Sequence, residues 1–237
     1  MMATEHQHPK IIFFDLDGTL WDFRTNAIAS LKELFEQHRL NRFFADFADF
    51  HHRYAPCNHR LWDEYARGEI TKDFLMVERF ASPLREVGVT DDALVTTLSQ
   101  GFFTHLAEKR QLMPHAIEVL EVLNNKYCMA IVSNGFPEIQ FKKLENASLL
   151  HYFKYVILSE QVGAPKPNPL FFDAAMKICH CKPSDVILVG DEYATDIVGA
   201  HNYGIPTVWY NPQNMTAEKP VHDFEINDLN ALLTILL

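Results

Sequence analysis

Four short clusters of oxygen- and nitrogen-bearing side chains punctuate this chain. The first, Asp15-Leu16-Asp17-Gly18-Thr19, sets two carboxylates two residues apart on a turn, where both can face one pocket. Carboxylates ionised at neutral pH serve as nucleophiles and as acid/base groups. The second, Ser133-Asn134-Gly135, offers a hydroxyl, an amide and a permissive glycine, a combination suited to phosphate oxygens. In the third, Pro165, Pro167 and Pro169 stiffen the chain around Lys166 and predispose it to open a helix. A cation near a helix N-terminus gains nothing from the dipole, so Lys166 calls for an anionic partner. The fourth, Gly190-Asp191-Glu192 with Asp196 beyond it, adds further carboxylates. Taken alone, each cluster has an ordinary structural explanation: an Asx turn, common turn residues, a solvated lysine, an acidic first helical turn. Taken together they supply carboxylates, a hydroxyl, a lysine and more carboxylates, the set a single pocket for an anionic group needs.

The elements that must position these clusters are legible around them. Residues 10–14, 129–132, 155–158, 186–189 and 206–210 are short, nearly unbroken apolar runs, the pattern of strands buried on both faces of a parallel sheet. Helical spacing follows at 116–124, 168–178 and 195–202, the last ended near Gly204. A short strand at 224–226, a cap at Asn227-Asp228 and a final helix close the chain. This alternation predicts an α/β fold with a doubly wound, mostly parallel, Rossmann-like sheet, and it puts the clusters at carboxyl ends of strands, where such sheets bind ligands. From 21 to 111 the pattern is helical, for example at 26–37, 74–86 and 91–106 with Asp91-Asp92 as a helix start, and no strand is evident. The expected organisation is a core of residues 1–20 and 112–237 with a helical domain, residues 21–111, inserted after the first strand.

Composition narrows the function. The chain has 237 residues, of which 48% are hydrophobic, enough for a substantial core. With 21 basic and 31 acidic residues the formal charge is −10, which opposes binding to a nucleic acid polymer or an anionic membrane. An anionic substrate would need local positive charge, such as a metal ion. Cys57, Cys128, Cys179 and Cys181 are too scattered for a disulfide scaffold and read as reduced thiols. Cys179-His180-Cys181 lacks the second ligand pair of a zinc site. No apolar run reaches the roughly 18 residues of a membrane span. The first nine residues carry no secretory pattern, and His6 and His8 read as part of a tail. The expectation is a cytoplasmic protein without a membrane partner, monomeric or homodimeric.

The four clusters, in this order and over nearly the whole chain, resemble the motifs of the haloacid dehalogenase-like hydrolases. The helical insert resembles that superfamily's small α-helical cap. By this resemblance Asp15 is the nucleophile that attacks phosphorus to form an aspartyl-phosphate, and Asp17 is the acid/base that protonates the leaving alcohol and then activates water. The implied cofactor is Mg²⁺, on Asp15, Asp191 and the main-chain carbonyl of Asp17. Ser133, Asn134, Lys166 and Thr19 match the groups that hold the phosphoryl oxygens. Asp196 matches a supporting acidic position that orients Lys166 or metal-bound water. Glu192 stands where many relatives have a small hydroxyl residue. Asp17 favours phosphate chemistry over dehalogenation. Transport ATPases, which carry threonine at that position, do not fit.

The insert segment from Asn58 through Trp62 and Tyr65 to Ile70, with Arg79-Phe80, resembles the cap of the house-cleaning pyrimidine 5′-nucleotidases. That resemblance implies a nucleoside 5′-monophosphate substrate, with Phe23, Trp62 and Tyr65 as stacking candidates and Asn58 and Arg60 as base-edge candidates. The tryptophan and tyrosine, three apart, equally fit a buried helix stripe. Sugar-phosphate or phosphoglycolate hydrolysis, phosphomutase activity and a non-catalytic binding role are the alternatives.

Overall fold

A computed structural model describes residues 9–237 of the chain; His6 and His8 lie outside the described residues. The chain divides into two compact units: Thr25–Lys109, and Arg110–Leu237 together with the described residues up to Arg24.

The first strand, β1 (Ile11–Phe14), is buried at every position. It is followed by four long helices: α1 (Phe23–Gln37), α2 (Phe47–Ala66), α3 (Lys72–Glu86) and α4 (Asp92–Glu108). Side-chain caps start three of them. The carboxylates of Asp46 and Asp91 accept from the Asp49 and Leu94 amides at 2.8 and 2.9 Å, and Thr71 Oγ1 accepts from the Phe74 amide at 3.2 Å. Each satisfies an N–H that the helix leaves free. Pro56 lies inside α2, yet its buried residues Phe50, Tyr54, Cys57 and Leu61 keep a regular helical stripe. Its buried residues Phe50 and Tyr54 join Phe35, Phe44, Phe80 and Phe102 in an aromatic core. Trp62 and Tyr65 stack edge to face, with ring centroids 5.9 Å apart. Both pack against Cys57, Leu61 and Leu75, the helix-stripe placement. Arg60 is paired with Glu64 at 2.6 Å.

The rest of the core follows as α5 (Ala116–Asn124), β2 (Cys128–Ser133), α6 (Pro137–Asn146), β3 (Tyr155–Leu158), α7 (Ser159–Val162), α8 (Pro169–Cys179), β4 (Val186–Gly190), α9 (Gly199–Tyr203), β5 (Thr207–Tyr210), β6 (Phe224–Ile226) and α10 (Ala231–Leu236), with helices between successive strands except between β5 and β6. The order across the six strands is β3-β2-β1-β4-β5-β6, and every neighbouring pair is parallel. The reversal of direction at β1 places β1, β2 and β4 side by side, where a doubly wound sheet opens its crevice. On one face Phe13, Ala130, Val132 and Leu188 pack against Phe171, Phe172 and Ala175 of α8. A buried phenylalanine of this kind is worth about 1.5–3 kcal/mol. The helix expected at 195–202 is instead a π-helical turn, Tyr193–Val198, running into α9. Single π turns recur at functional sites, and this one carries Asp196. Among the described residues no helix is long and apolar enough to cross a membrane.

Candidate active site

Around the carboxyl ends of β1, β2 and β4 the four clusters enter two hydrogen-bonded groups, one centred on Lys166 and one on Asp17. Asp15 leaves β1 directly and is buried. Lys166, 1% exposed, lies between α7 and α8 and spends its three ammonium protons on three acceptors. These are Asp15 Oδ1 at 2.7 Å, Asp196 Oδ1 at 2.6 Å and the Val132 carbonyl at 2.7 Å. Burial alone would weaken the charged form of Lys166, but the two carboxylates outweigh it and hold the pKa above the ordinary lysine value. Asp196 fixes its second oxygen by accepting from the Glu192 amide at 3.1 Å.

Asp191 stands just past β4. Its Oδ1 accepts from Thr19 Oγ1 at 2.7 Å, and its main-chain carbonyl accepts from the Trp209 indole at 3.1 Å. Gly18 makes this approach possible. It sits at φ +93°, and a Cβ there would stand 2.2 Å from Asp191 Oδ2. Asp15, Asp191 and Asp196 each bring a carboxylate oxygen within 4.8 Å of the others. Three carboxylates against one ammonium leave two negative charges in excess. Burial, then repulsion from Asp196, pushes Asp191 up to about 7. Burial raises Asp15 well above the usual carboxylate range, with Lys166 pulling the other way and Asp196 and Asp191 adding repulsion. An all-oxygen set, buried at Asp15 and Asp196 and partly buried at Asp191, with this excess of charge fits a hard divalent cation such as Mg²⁺.

Asp17 is held separately. Its Oδ1 accepts from Lys143 Nζ at 2.6 Å and its Oδ2 from Gln140 Nε2 at 2.8 Å. Gln140 Nε2 also donates to Ser133 Oγ at 2.7 Å, and the Gly135 amide donates to the same oxygen at 3.1 Å. Both contacts use the acceptor sites of the Ser133 hydroxyl, which leaves its proton available to a ligand oxygen.

Two residues expected on phosphate are placed otherwise. The Thr19 hydroxyl, fully buried, donates to Asp191. The Asn134 side chain makes a two-way bond with the Lys166 backbone, accepting from its N–H at 2.8 Å and donating to its carbonyl at 2.9 Å. It therefore positions the lysine segment. Gln140 and Lys143 escape sequence reasoning because they lie on α6, whose buried face is half polar: Ile139, Gln140, Lys143 and Leu144. The available signal is a glutamine and a lysine three apart, on one helix face, shortly after the Ser133 cluster.

Comparison with known proteins matches residues 9–204 to the model of the haloacid dehalogenase-like hydrolase family. The chain belongs to that family. It is 30% identical over 219 residues to the pyrimidine 5′-nucleotidase PynA of Streptococcus pneumoniae, covering 90% of each chain. It is 33% identical over 201 residues to the pyrimidine 5′-nucleotidase YjjG of Escherichia coli, covering 84% of this chain and 85% of that one. The crystal structure of the hydrolase YfnB of Bacillus subtilis bound to magnesium superposes with a TM-score of 0.88 at 28% identity, covering 97% of this chain and 99% of that one. The fold and family implied by the four motifs are those found.

Proposed function

We propose that this hydrolase is a Mg²⁺-dependent phosphomonoesterase that works through an aspartyl-phosphate on Asp15 and acts on nucleoside 5′-monophosphates, pyrimidine ones foremost. The helical stretch, residues 21–111, is its cap; residues 1–20 and 112–237 are its catalytic core, acting in the cytoplasm. The observation that carries the chemistry is the Asp15–Lys166–Asp196 network, with Asp191 beside it and Asp17 held separately. The likeness to two pyrimidine 5′-nucleotidases over most of the chain supports the substrate class.

In the first half-reaction an Asp15 carboxylate oxygen bonds to phosphorus, the P–O ester bond breaks, and the proton of Asp17 moves to the departing alkoxide. In the second, Asp17 takes a proton from water, the water oxygen bonds to phosphorus, and Asp15 leaves as free carboxylate. Ser133 donates its hydroxyl to a phosphoryl oxygen, and Lys166 offsets the charge gathered around Asp15. Asp15, Asp191 and the Asp17 carbonyl would hold Mg²⁺, which would supply positive charge against the repulsion between carboxylate and phosphate.

The test is phosphate release across pyrimidine and purine nucleoside monophosphates, sugar phosphates and phosphoglycolate, with Mg²⁺ or excess EDTA. The expected result is a preference for pyrimidine nucleotides, lost in EDTA and restored by Mg²⁺. A preference for sugar phosphates would overturn the substrate class, and full activity in chelator would overturn the metal role.

A further inference from the structure

The buried face of α6 carries two polar side chains, and both end on the same carboxylate. Lys143 is 2% exposed, and its ammonium lies 4.4 Å from the Trp21 ring centroid and 5.4 Å from that of Phe23. Burying an ammonium costs several kcal/mol unless it is paired, and an apolar side chain of similar volume fills such a place at less cost. Packing therefore does not account for a lysine here; its hydrogen bond to Asp17 does. Gln140 repeats the pattern. Its Oε1 is buried without a hydrogen-bond partner, while its Nε2 serves both Asp17 and Ser133. Turning the amide over would set its oxygen against a carboxylate, so the unsatisfied oxygen is the cost of presenting two N–H groups. Room for that amide depends on Gly135, where a Cβ would stand 2.3 Å from Gln140 Nε2.

We propose that Lys143 and Gln140 are positioning residues for the acid/base carboxyl of Asp17, gripping both of its oxygens from α6 so that its remaining lone-pair sites face the leaving-group oxygen in a fixed direction. A carboxylate has about four such sites, and the two donors occupy one on each oxygen. Gln140, shared with Ser133, ties the aim of the proton donor to that of the phosphoryl-oxygen donor. The proposal rests on the reading of Asp17 as the group that protonates the leaving group.

Positioning of a proton donor has a signature that general loss of structure lacks. An alkyl ester leaves as an alkoxide and needs the proton; p-nitrophenyl phosphate leaves as a stabilised phenolate and does not. The value of kcat/KM covers the steps through leaving-group departure, so the later attack of water does not mask the comparison. The experiment measures kcat/KM for the best alkyl phosphate of the substrate panel and for p-nitrophenyl phosphate, in wild type and in Lys143→Met, Lys143→Arg, Gln140→Leu and Asp17→Asn. Lys143→Met is expected to lose about 100-fold on the alkyl ester and less than about fivefold on the aryl ester, within the range of general-acid effects. Gln140→Leu should show the same bias at smaller size, and Lys143→Arg should recover most of the loss. Equal losses on the two esters, or none on either, with the Asp17→Asn bias intact, would overturn the positioning role alone. An Asp17→Asn enzyme without the bias would overturn the reading of Asp17 and the proposal with it. Should Lys143→Met not fold, Gln140→Leu carries the same comparison.

Discussion

Both compact units bury cations, and Lys166 in one and Arg79 in the other are treated in opposite ways. In the unit that holds the sheet, Lys166 meets two carboxylates and a carbonyl, and its charge is strengthened. In the helical unit, Arg79 is 2% exposed, and its Nε and Nη2 have no hydrogen-bond partner. Its guanidinium lies against the rings of Phe80, Phe102 and Phe103, with 4.5 Å to the nearest centroid. Burial lowers its pKa, with Tyr54 acting the other way. The strand ends gather charge and give the buried lysine two carboxylate partners. The helical unit is built to pack rings and tolerates one cation through their faces.

Replacement of both cations by methionine separates the two cases. Lys166→Met would leave Asp15 and Asp196 buried and unpaired. It is expected to cost about 3–5 kcal/mol in a denaturant melt, the range for breaking a buried pair. It should also lower kcat/KM by about 100- to 1,000-fold, as loss of a charge-stabilising donor does. A melt unchanged by that substitution would break the comparison on the core side.

Thr19→Val sharpens the core further. If the Thr19 hydroxyl serves to hold Asp191, the Mg²⁺ concentration for half-maximal activity should rise about 10- to 100-fold, as for other groups that orient a metal ligand. KM for the ester should change little. A raised KM with an unchanged Mg²⁺ requirement would return Thr19 to the phosphate, where the motif resemblance puts it. The smallest effect is expected at Arg79→Met. Lost ring contacts and relieved burial of unpartnered nitrogens oppose each other, so the melt should move by no more than about 1 kcal/mol. A loss as large as that for Lys166 would show that the helical unit depends on its cation after all.

The same contrast explains what is legible in the sequence. Strands with unbroken apolar runs, such as 129–132 and 186–189, announce themselves, and the residues just after them are where a parallel sheet must put its ligand groups. The clusters that hold Asp15, Asp17, Ser133, Asp191 and Asp196 are therefore visible at strand ends, and Lys166 is marked by the prolines around it. The direction of a side chain is not. Thr19 and Asn134 are plausible phosphate donors by type, yet one hydroxyl turns to Asp191 and one amide to the Lys166 backbone, choices set by neighbours far away in the chain. Gln140 and Lys143 are hidden for the opposite reason. A polar residue on a buried helix face weakens the apolar periodicity by which the helix is recognised, so α6 and its two buried polar residues escape notice.

The proposed chemistry stands or falls on whether Asp15 becomes phosphorylated during turnover. The most direct measurement is a rapid acid quench of the enzyme mixed with Mg²⁺ and an excess of substrate labelled in its phosphoryl group, followed by peptide mapping. Label is expected on the peptide that contains Asp15, released by hydroxylamine as an acyl phosphate should be, with no label or turnover in Asp15→Asn. Label on another residue, or wild-type phosphate release by a folded Asp15→Asn enzyme, would contradict the assignment.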